Sequence, residues 1–283
     1  MNSAFCFLII GDMKLLPLIA IESCLAHSKC DIIIGYSNER DIRFVPRDDR
    51  VKFISLEGFD SGILKEYENF YSEEFYKIVF AKWTLLLMTL EMDYHIVTYL
   101  DSDVLVLGNI DDELHKFFAV RSTASIAIQS FTSLPSEPRL CMGIIALRNN
   151  NYSRNFLIEA KNTHLEGLTN NKMLGDDEIV TRMFVSRNYP AEIVELPQST
   201  FLVGNLVGIF KNSSSFPYLK NPKPFLFHAN FAVGLDEKTL LLKYVQFLQR
   251  RTPLASKIMS SRRVRKRLTH VLRFLTGGPV VKE

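Results

Sequence analysis

The chain has 283 residues, 47% of them hydrophobic and 23% charged, with a formal net charge of +3. That length and apolar content suit one large α/β domain or two small ones with a sizeable core, and read as globular. No window gives the roughly 18 uninterrupted apolar residues that a membrane span needs, and the four cysteines, Cys6, Cys24, Cys30 and Cys141, are too sparse for a disulfide framework and form no CxxC pair.

In chain order, AFCFLII (4–10) reads as a strand. It is short, lacks a basic leader and is broken by Gly11-Asp12-Met13-Lys14, so neither a signal peptide nor a span is expected and a reducing cytoplasm is the expected home. Lys14 falls just after this strand, either at the sheet end where a nucleotide would sit or as a simple exposed loop lysine; the IIGDMK loop has one glycine and is no phosphate cradle. A helix over 15–27, strands over 31–37 and 51–56, a loop over 57–72 and a long helix over 73–90 follow. That rhythm predicts a mainly parallel sheet flanked by crossover helices. Further strands are expected in SIAIQS and MGIIALR, with helices near 152–164, 176–187 and 236–250. The only break in composition is near Arg250, which suggests a domain over 1–249 and a separate tail over 250–283.

The stretch 94–109, YHIVTYLDSDVLVLGN, is an apolar strand that ends in two carboxylates one residue apart. A buried carboxylate is costly unless something compensates its charge. If the strand continues as extended chain, Asp101 and Asp103 point the same way with small Ser102 opposite. Two hard oxygen ligands then converge, an arrangement suited to Mn²⁺ or Mg²⁺ bound to ligand phosphates. A solvated turn with both carboxylates accepting backbone N–H groups is the alternative. A second cluster, PFLFHANFAVGLDEK (224–238), delivers His228, an acceptable third ligand, followed by Asn230, Gly234 and Lys238. Lys238 would neutralise a phosphate.

These residues resemble a family. YLDSDVLVLGNI, CMGIIALRNN, LGDDEIVTRMF and the closing FHAN with downstream Gly and Lys are similar, in order and spacing, to nucleotide-sugar glycosyltransferases of the A-type (GT-A) fold, and among them to the retaining group that includes glycogenin-like and lipooligosaccharide galactosyltransferase-like enzymes. The resemblance covers about residues 1–245. It implies a single GT-A domain with a Rossmann-like sheet, a UDP-sugar donor, and a Mn²⁺ or Mg²⁺ ion held by Asp101, Asp103 and His228. Ser102, Asn230, Gly234 and Lys238 then fall among the donor contacts. The chain departs from the family pattern in three places. Cys141-Met142-Gly143 stands where Asn-Ser/Thr-Gly is usual, Asp176-Asp177 where Asp-Gln is common, and Lys238 follows His228 at a longer spacing.

Lys82 shares an apolar helical stripe with Phe75, Val79 and Leu86, so either an anion holds it there, the nucleotide diphosphate or Asp101, or it snorkels to solvent. Asp176 and Asp177 are the catalytic candidates; Asp176 after Gly175 is expected to cap a helix starting at Glu178, which makes Asp177 the better one to face the sugar, by hydrogen-bonding its hydroxyls or stabilising positive charge at its anomeric carbon. The segment 254–275 can form an amphipathic helix with Val264, Leu268, Val271 and Leu275 on one face and Arg262, Arg263, Arg265, Lys266 and Arg267 on the other. Residues 250–283 hold ten Lys or Arg against one Glu, a net of +9 that leaves the body at −6. Such a helix suits an anionic membrane surface; docking on the domain and a disordered basic end are the alternatives. No nucleic acid is expected, since the body is acidic and no aromatic stacking pattern accompanies the tail.

The expected function is metal-dependent transfer of a hexose from a nucleotide-diphosphate sugar to a saccharide or lipid-linked glycan, with retention implied by the resemblance alone. Acceptor contacts are expected in the loops 57–72 and 198–223. A haloacid dehalogenase-type phosphatase, which also places Asp-x-Asp at a strand end, and a sugar-nucleotide-binding protein without turnover are the alternatives.

Overall fold

Alternation along the first strand, β1 (Ser3–Ile9), sets the architecture of the computed structural model: Ala4, Cys6 and Leu8 enter one core and Phe5, Phe7 and Ile9 another. The structure describes residues 2–13, 15–56, 73–130, 139–170, 172, 174–188, 190–203, 225–230, 232 and 234–250. Lys14, the loop 57–72, residues 204–224 and the tail beyond Arg250 lie outside the described residues.

A strand buried on both faces must be central, and β1 lies between β2 (Asp31–Tyr36) and β4 (Ile96–Leu100), parallel to both. β3 (Val51–Ser55) continues parallel beyond β2. On the other side β7 (Leu140–Arg148) is antiparallel to β4 and to β6 (Ile126–Ser130), and β8 (Ile193–Glu195) is parallel to β6. The order of the seven strands is β3-β2-β1-β4-β7-β6-β8, a mixed sheet as expected. Helices α2 (Glu73–Leu90), α4 (Asn151–Thr169) and α5 (Asp176–Ser186) cover one face; α1 (Leu16–His27) and α3 (Ile110–Val120) cover the other.

A second sheet of three short strands stands beside the first: β5 (Val104–Val106), β10 (Leu226–His228) and β9 (Phe201–Val203), in that order. The last helix, α6 (Leu235–Arg250), packs Leu235, Leu241, Leu242 and Val245 against Leu105 and Phe227 of this small sheet. The structure therefore adds α3 to the elements read from sequence. Its signals are Ile110, Leu114, Phe117 and Phe118 on one buried face, acidic residues in the first turn, and Asn109 accepting the Asp112 N–H as a side-chain cap. Strands β5, β8 and β9 are three residues each, too short to show a period. No helix among the described residues is long and apolar enough to cross a membrane.

This layout places the site. The carboxyl ends of β1 and β4 open on the same edge of the sheet, where ligands of open α/β sheets bind. The small sheet and α6 form the opposing wall.

Candidate functional site

β4 stops at Leu100 and β5 starts at Val104, so Asp101, Ser102 and Asp103 make the turn between the two sheets. The expectation of a continuous extended run is thus corrected. The carboxylates converge because the turn is pinned at both ends: the Asp101 N–H donates to the Gly143 carbonyl at 2.8 Å, and the Ala229 N–H donates to the Asp103 carbonyl at 3.0 Å. The second bond comes from the residue after His228, and β10 runs antiparallel to β5 with His228 opposite Val104. Backbone pairing thus carries His228, over 120 residues downstream, to the Asp turn.

The three side chains meet. One ligand atom from each of Asp101, Asp103 and His228 lies within 4.8 Å of the other two. His228 Nε2 is 3.1 Å from Asp103 Oδ1 and 3.9 Å from Asp101 Oδ2. Although so close to Asp103, it is buried without an aligned hydrogen bond. Gly143 keeps the spot open. A Cβ there would lie 2.1 Å from His228 Cε1 and 2.9 Å from Asp101 Oδ2, closer than atoms tolerate. An orphaned imidazole nitrogen, two carboxylates and a cradle that excludes any side chain fit a divalent cation with oxygen and imidazole ligands.

Two lysines answer the acidic charge. Lys82 projects from α2 to Asp176 at 2.5 Å and Asp101 at 3.3 Å, with its ammonium 4.6 Å from the centre of the Tyr99 ring. This bears out the anionic partner expected for a cation on an apolar stripe, and adds Asp176 to it. Burial alone would lower the Lys82 pKa, but Asp101 and Asp176 hold it well above the ordinary lysine range. Lys238 lies 2.5 Å from Asp103 Oδ2. Gly234, with φ of +87°, makes the left-handed turn into α6 that returns Lys238 to the site. Its role in the structure is in the backbone. Burial would raise the Asp103 carboxyl, but the Lys238 ammonium holds it far below the usual range.

The second acidic pair behaves differently. Helix α5 begins at Asp176 with Gly175 as its N-cap, so the expected capping by Asp176 is corrected; its carboxylate is instead buried against Lys82. Asp177 accepts the Met142 N–H at 2.6 Å. Burial, and then the neighbouring Asp176 charge, push the Asp177 carboxyl up to about 8. Cys141 stands beside it as a neutral thiol, raised by burial and by Asp177, and accepts hydrogen bonds from the Gly143 N–H and the Asn230 amide.

A cavity of about 170 Å³ is lined by Lys82, Asp101, Ser102, Asp103, Cys141, Asp176, Asp177, Asn230 and Lys238, with an apolar wall that includes Leu8, Ile10 and Phe75. Ser102 is buried and turns its hydroxyl toward the Leu8 carbonyl at 3.4 Å. Five carboxyls, Asp12 with the two acidic pairs, against two ammoniums give the lining a formal charge of −3, most of which a divalent cation would offset. The structure thus brings together every site residue read from sequence except Gly234, which acts through the backbone, and Lys14, which lies outside the described residues. It adds Tyr99 under Lys82 and Gln129, which accepts from His228 Nδ1 at 2.8 Å. The one signal for Gln129 was an amide at the end of the apolar run IAIQ.

The family described as nucleotide-diphospho-sugar transferase matches residues 47–242, a span that contains both Asp pairs and His228. This sets aside the phosphatase alternative. A search of curated proteins returns no significant match. Among solved structures, the galactosyltransferase LgtC, in complex with donor and acceptor sugar analogs, has a TM-score of 0.55 at 11% identity, covering 85% of this chain and 95% of LgtC. Mouse xyloside xylosyltransferase 1 gives 0.54 at 12% identity, covering 82% of this chain and 98% of that one. The glycosyltransferase GlyE of Streptococcus pneumoniae TIGR4 gives 0.53 at 16% identity, covering 86% of this chain and 60% of GlyE. At such identities the likeness concerns the fold, which is GT-A.

Proposed function

The chain belongs to the nucleotide-diphospho-sugar transferase family, and from that premise we propose a glycosyltransferase that uses Mn²⁺ or Mg²⁺ to transfer a hexose from a UDP-sugar to a saccharide or lipid-linked glycan, with retention at the anomeric carbon. The observation that carries metal use is the convergence of Asp101, Asp103 and the orphaned His228 Nε2 in a cradle kept open by Gly143. A cation held by these three would supply Lewis-acid stabilisation of the departing diphosphate.

The chain's own residues do the rest. Lys238, held at Asp103, is placed to meet phosphate charge, and Asn230 and Ser102 add polar contacts along the same wall. Lys82 fixes Asp101 and Asp176 relative to each other, which keeps the lining rigid while charge develops. Asp177, set on the first turn of α5 and anchored by the Met142 N–H, faces the sugar, and once a bound cation lowers its raised carboxyl it would answer positive charge at the anomeric carbon. The apolar wall limits water around the reacting bond.

Residues 1–249 form the transferase domain in this reading, and the basic segment 254–275 brings it to the anionic cytoplasmic face of a membrane. Loss of vesicle co-sedimentation on removing 254–275, with anionic but not neutral lipid, is expected. Equal binding of both proteins would sink that part.

Thermal shift of the purified protein against nucleoside diphosphates and nucleotide sugars, with and without Mn²⁺, tests the donor site. Ligand at about 100 times its Kd stabilises by roughly 2.7 kcal/mol. A shift with a uridine nucleotide that needs Mn²⁺, and is lost in Asp103→Asn, is expected; a well-folded sample that responds to no nucleotide would refute the reading.

A further inference from the structure

Gln129 is fully buried near the end of β6, where the strand's register against β7 shifts between Ile128 and Gln129. Such a bulge re-aims side chains, and here the amide reaches across to the small sheet. Its Nε2 donates to the Phe201 carbonyl at 3.1 Å and contacts the Leu202 carbonyl at 3.4 Å. Carbonyl oxygens only accept, so the NH₂ end of the amide is committed to β9. The other end, Oε1, then faces His228 Nδ1 at 2.8 Å. An amide oxygen also only accepts. The hydrogen in that bond must therefore sit on Nδ1.

The consequence reaches the other side of the ring. With Nδ1 protonated, a neutral imidazole carries its lone pair on Nε2. That atom is buried and faces Asp103 Oδ1 at 3.1 Å and Asp101 Oδ2 at 3.9 Å. Lone pairs that face one another at these distances repel unless positive charge sits among them. The chain from the β9 carbonyls through Gln129 to His228 is thus a built device for presenting an acceptor nitrogen to the Asp turn.

We infer that Gln129 is a positioning residue: it fixes His228 as the Nδ1–H tautomer, so that Nε2 serves as the third ligand of a divalent cation beside Asp101 and Asp103. This deepens the reading of the cation site proposed above and rests on it. Outer partners of metal-ligating histidines hold ring and tautomer in this way, and their loss costs roughly 10–100-fold in metal affinity. Leucine at 129 removes the acceptor. Glutamate keeps an acceptor for Nδ1, while its second oxygen turns an acceptor toward the β9 carbonyls in place of the amide donor.

The test has two independent readouts. In ¹⁵N NMR of the metal-free protein, at a pH where the ring is neutral, His228 is distinguished from the five other histidines by comparison with His228→Asn. The wild type should show a protonated Nδ1 and an unprotonated Nε2, and Gln129→Leu a mixture of tautomers. In titrations followed by electron paramagnetic resonance, without nucleotide, Gln129→Leu should bind Mn²⁺ roughly 10–100-fold more weakly, and Gln129→Glu within a few-fold of wild type. A wild-type ring protonated on Nε2, or a Gln129→Leu protein with unchanged tautomer and unchanged affinity, overturns the inference. If the wild type binds no Mn²⁺ while its tautomer is Nδ1–H and depends on Gln129, the positioning stands and the cation reading falls. Should the leucine variant fail to fold, the wild-type spectrum and the glutamate variant still decide.

Discussion

Asp103 and Asp177 line one cavity, yet their surroundings drive them in opposite directions. Asp103 is buried with the Lys238 ammonium at 2.5 Å, and stays ionised far below the ordinary carboxylate range. Asp177 keeps part of its surface open to the cavity, but the nearest lysine, Lys82, is already committed to Asp176 and Asp101. It is left with one backbone N–H and a neighbouring carboxylate, and holds its proton up to about 8. Burial opposes ionisation in both. Which cation is close enough decides the outcome, so two acidic pairs of similar sequence become two tools: a cation pole and a carboxyl poised to change charge.

The largest expected effect comes from breaking the cation pole. Asp103→Asn removes a ligand and the carboxylate that holds Lys238. Lewis-acid stabilisation is worth several kcal/mol, so turnover should fall by about 10³-fold or more. Breaking a buried ion pair costs about 3–5 kcal/mol, so denaturant unfolding should show a stability loss of that order. Turnover within ten-fold of wild type would remove Asp103 from the machinery. Gly143→Ala probes the same pole without touching a charge. Its methyl would lie 2.1 Å from His228 Cε1, and the ring, held by Gln129, has little freedom to yield. Overpacking of this kind costs about 1–3 kcal/mol. Mn²⁺ affinity, measured by calorimetry, should fall with it; an alanine variant of undiminished affinity would show that the cradle is not needed.

Much of this was legible before the fold. An Asp-Ser-Asp at the end of an apolar strand and a His at the end of another are local signals, and burial cost demanded that something compensate them. A cation on an apolar helical stripe likewise announces that Lys82 needs an anion, and Asp101 is one that the sequence offers. Its stronger partner, Asp176, was not legible. The pair closes over 94 residues because α2 and α5 both pack on α4, and the sequence at Asp176 resembles an ordinary helix cap because Gly175, the true cap, carries no side chain to signal it. Gln129 was hidden for a related reason. Its partners are backbone carbonyls of Phe201 and Leu202 and a ring nitrogen of His228, none of which local periodicity can bring together.

The smaller effects sharpen the contrast from the Asp177 side. Asparagine there keeps the shape and loses the ionisable group. Removing one positioned electrostatic group typically costs about 10²–10³-fold in kcat, and Mn²⁺ affinity should be preserved because Asp177 is not a ligand. Its effect on stability is read in the metal-free protein. A carboxyl whose folded pKa is raised, from 3.8 to about 8, binds its proton more tightly folded than unfolded. Its favourable contribution is therefore fully present below about 4 and is lost as pH rises through about 8. The wild-type Tm should decline across that window, and Asp177→Asn should flatten the decline. A divalent ion in the cavity would lower the carboxyl's pKa and flatten it too, without any mutation. If the variant keeps the wild-type slope, Asp177 is already ionised at neutral pH. The cavity then holds two like carboxylate poles, and the division of labour between Asp103 and Asp177 collapses.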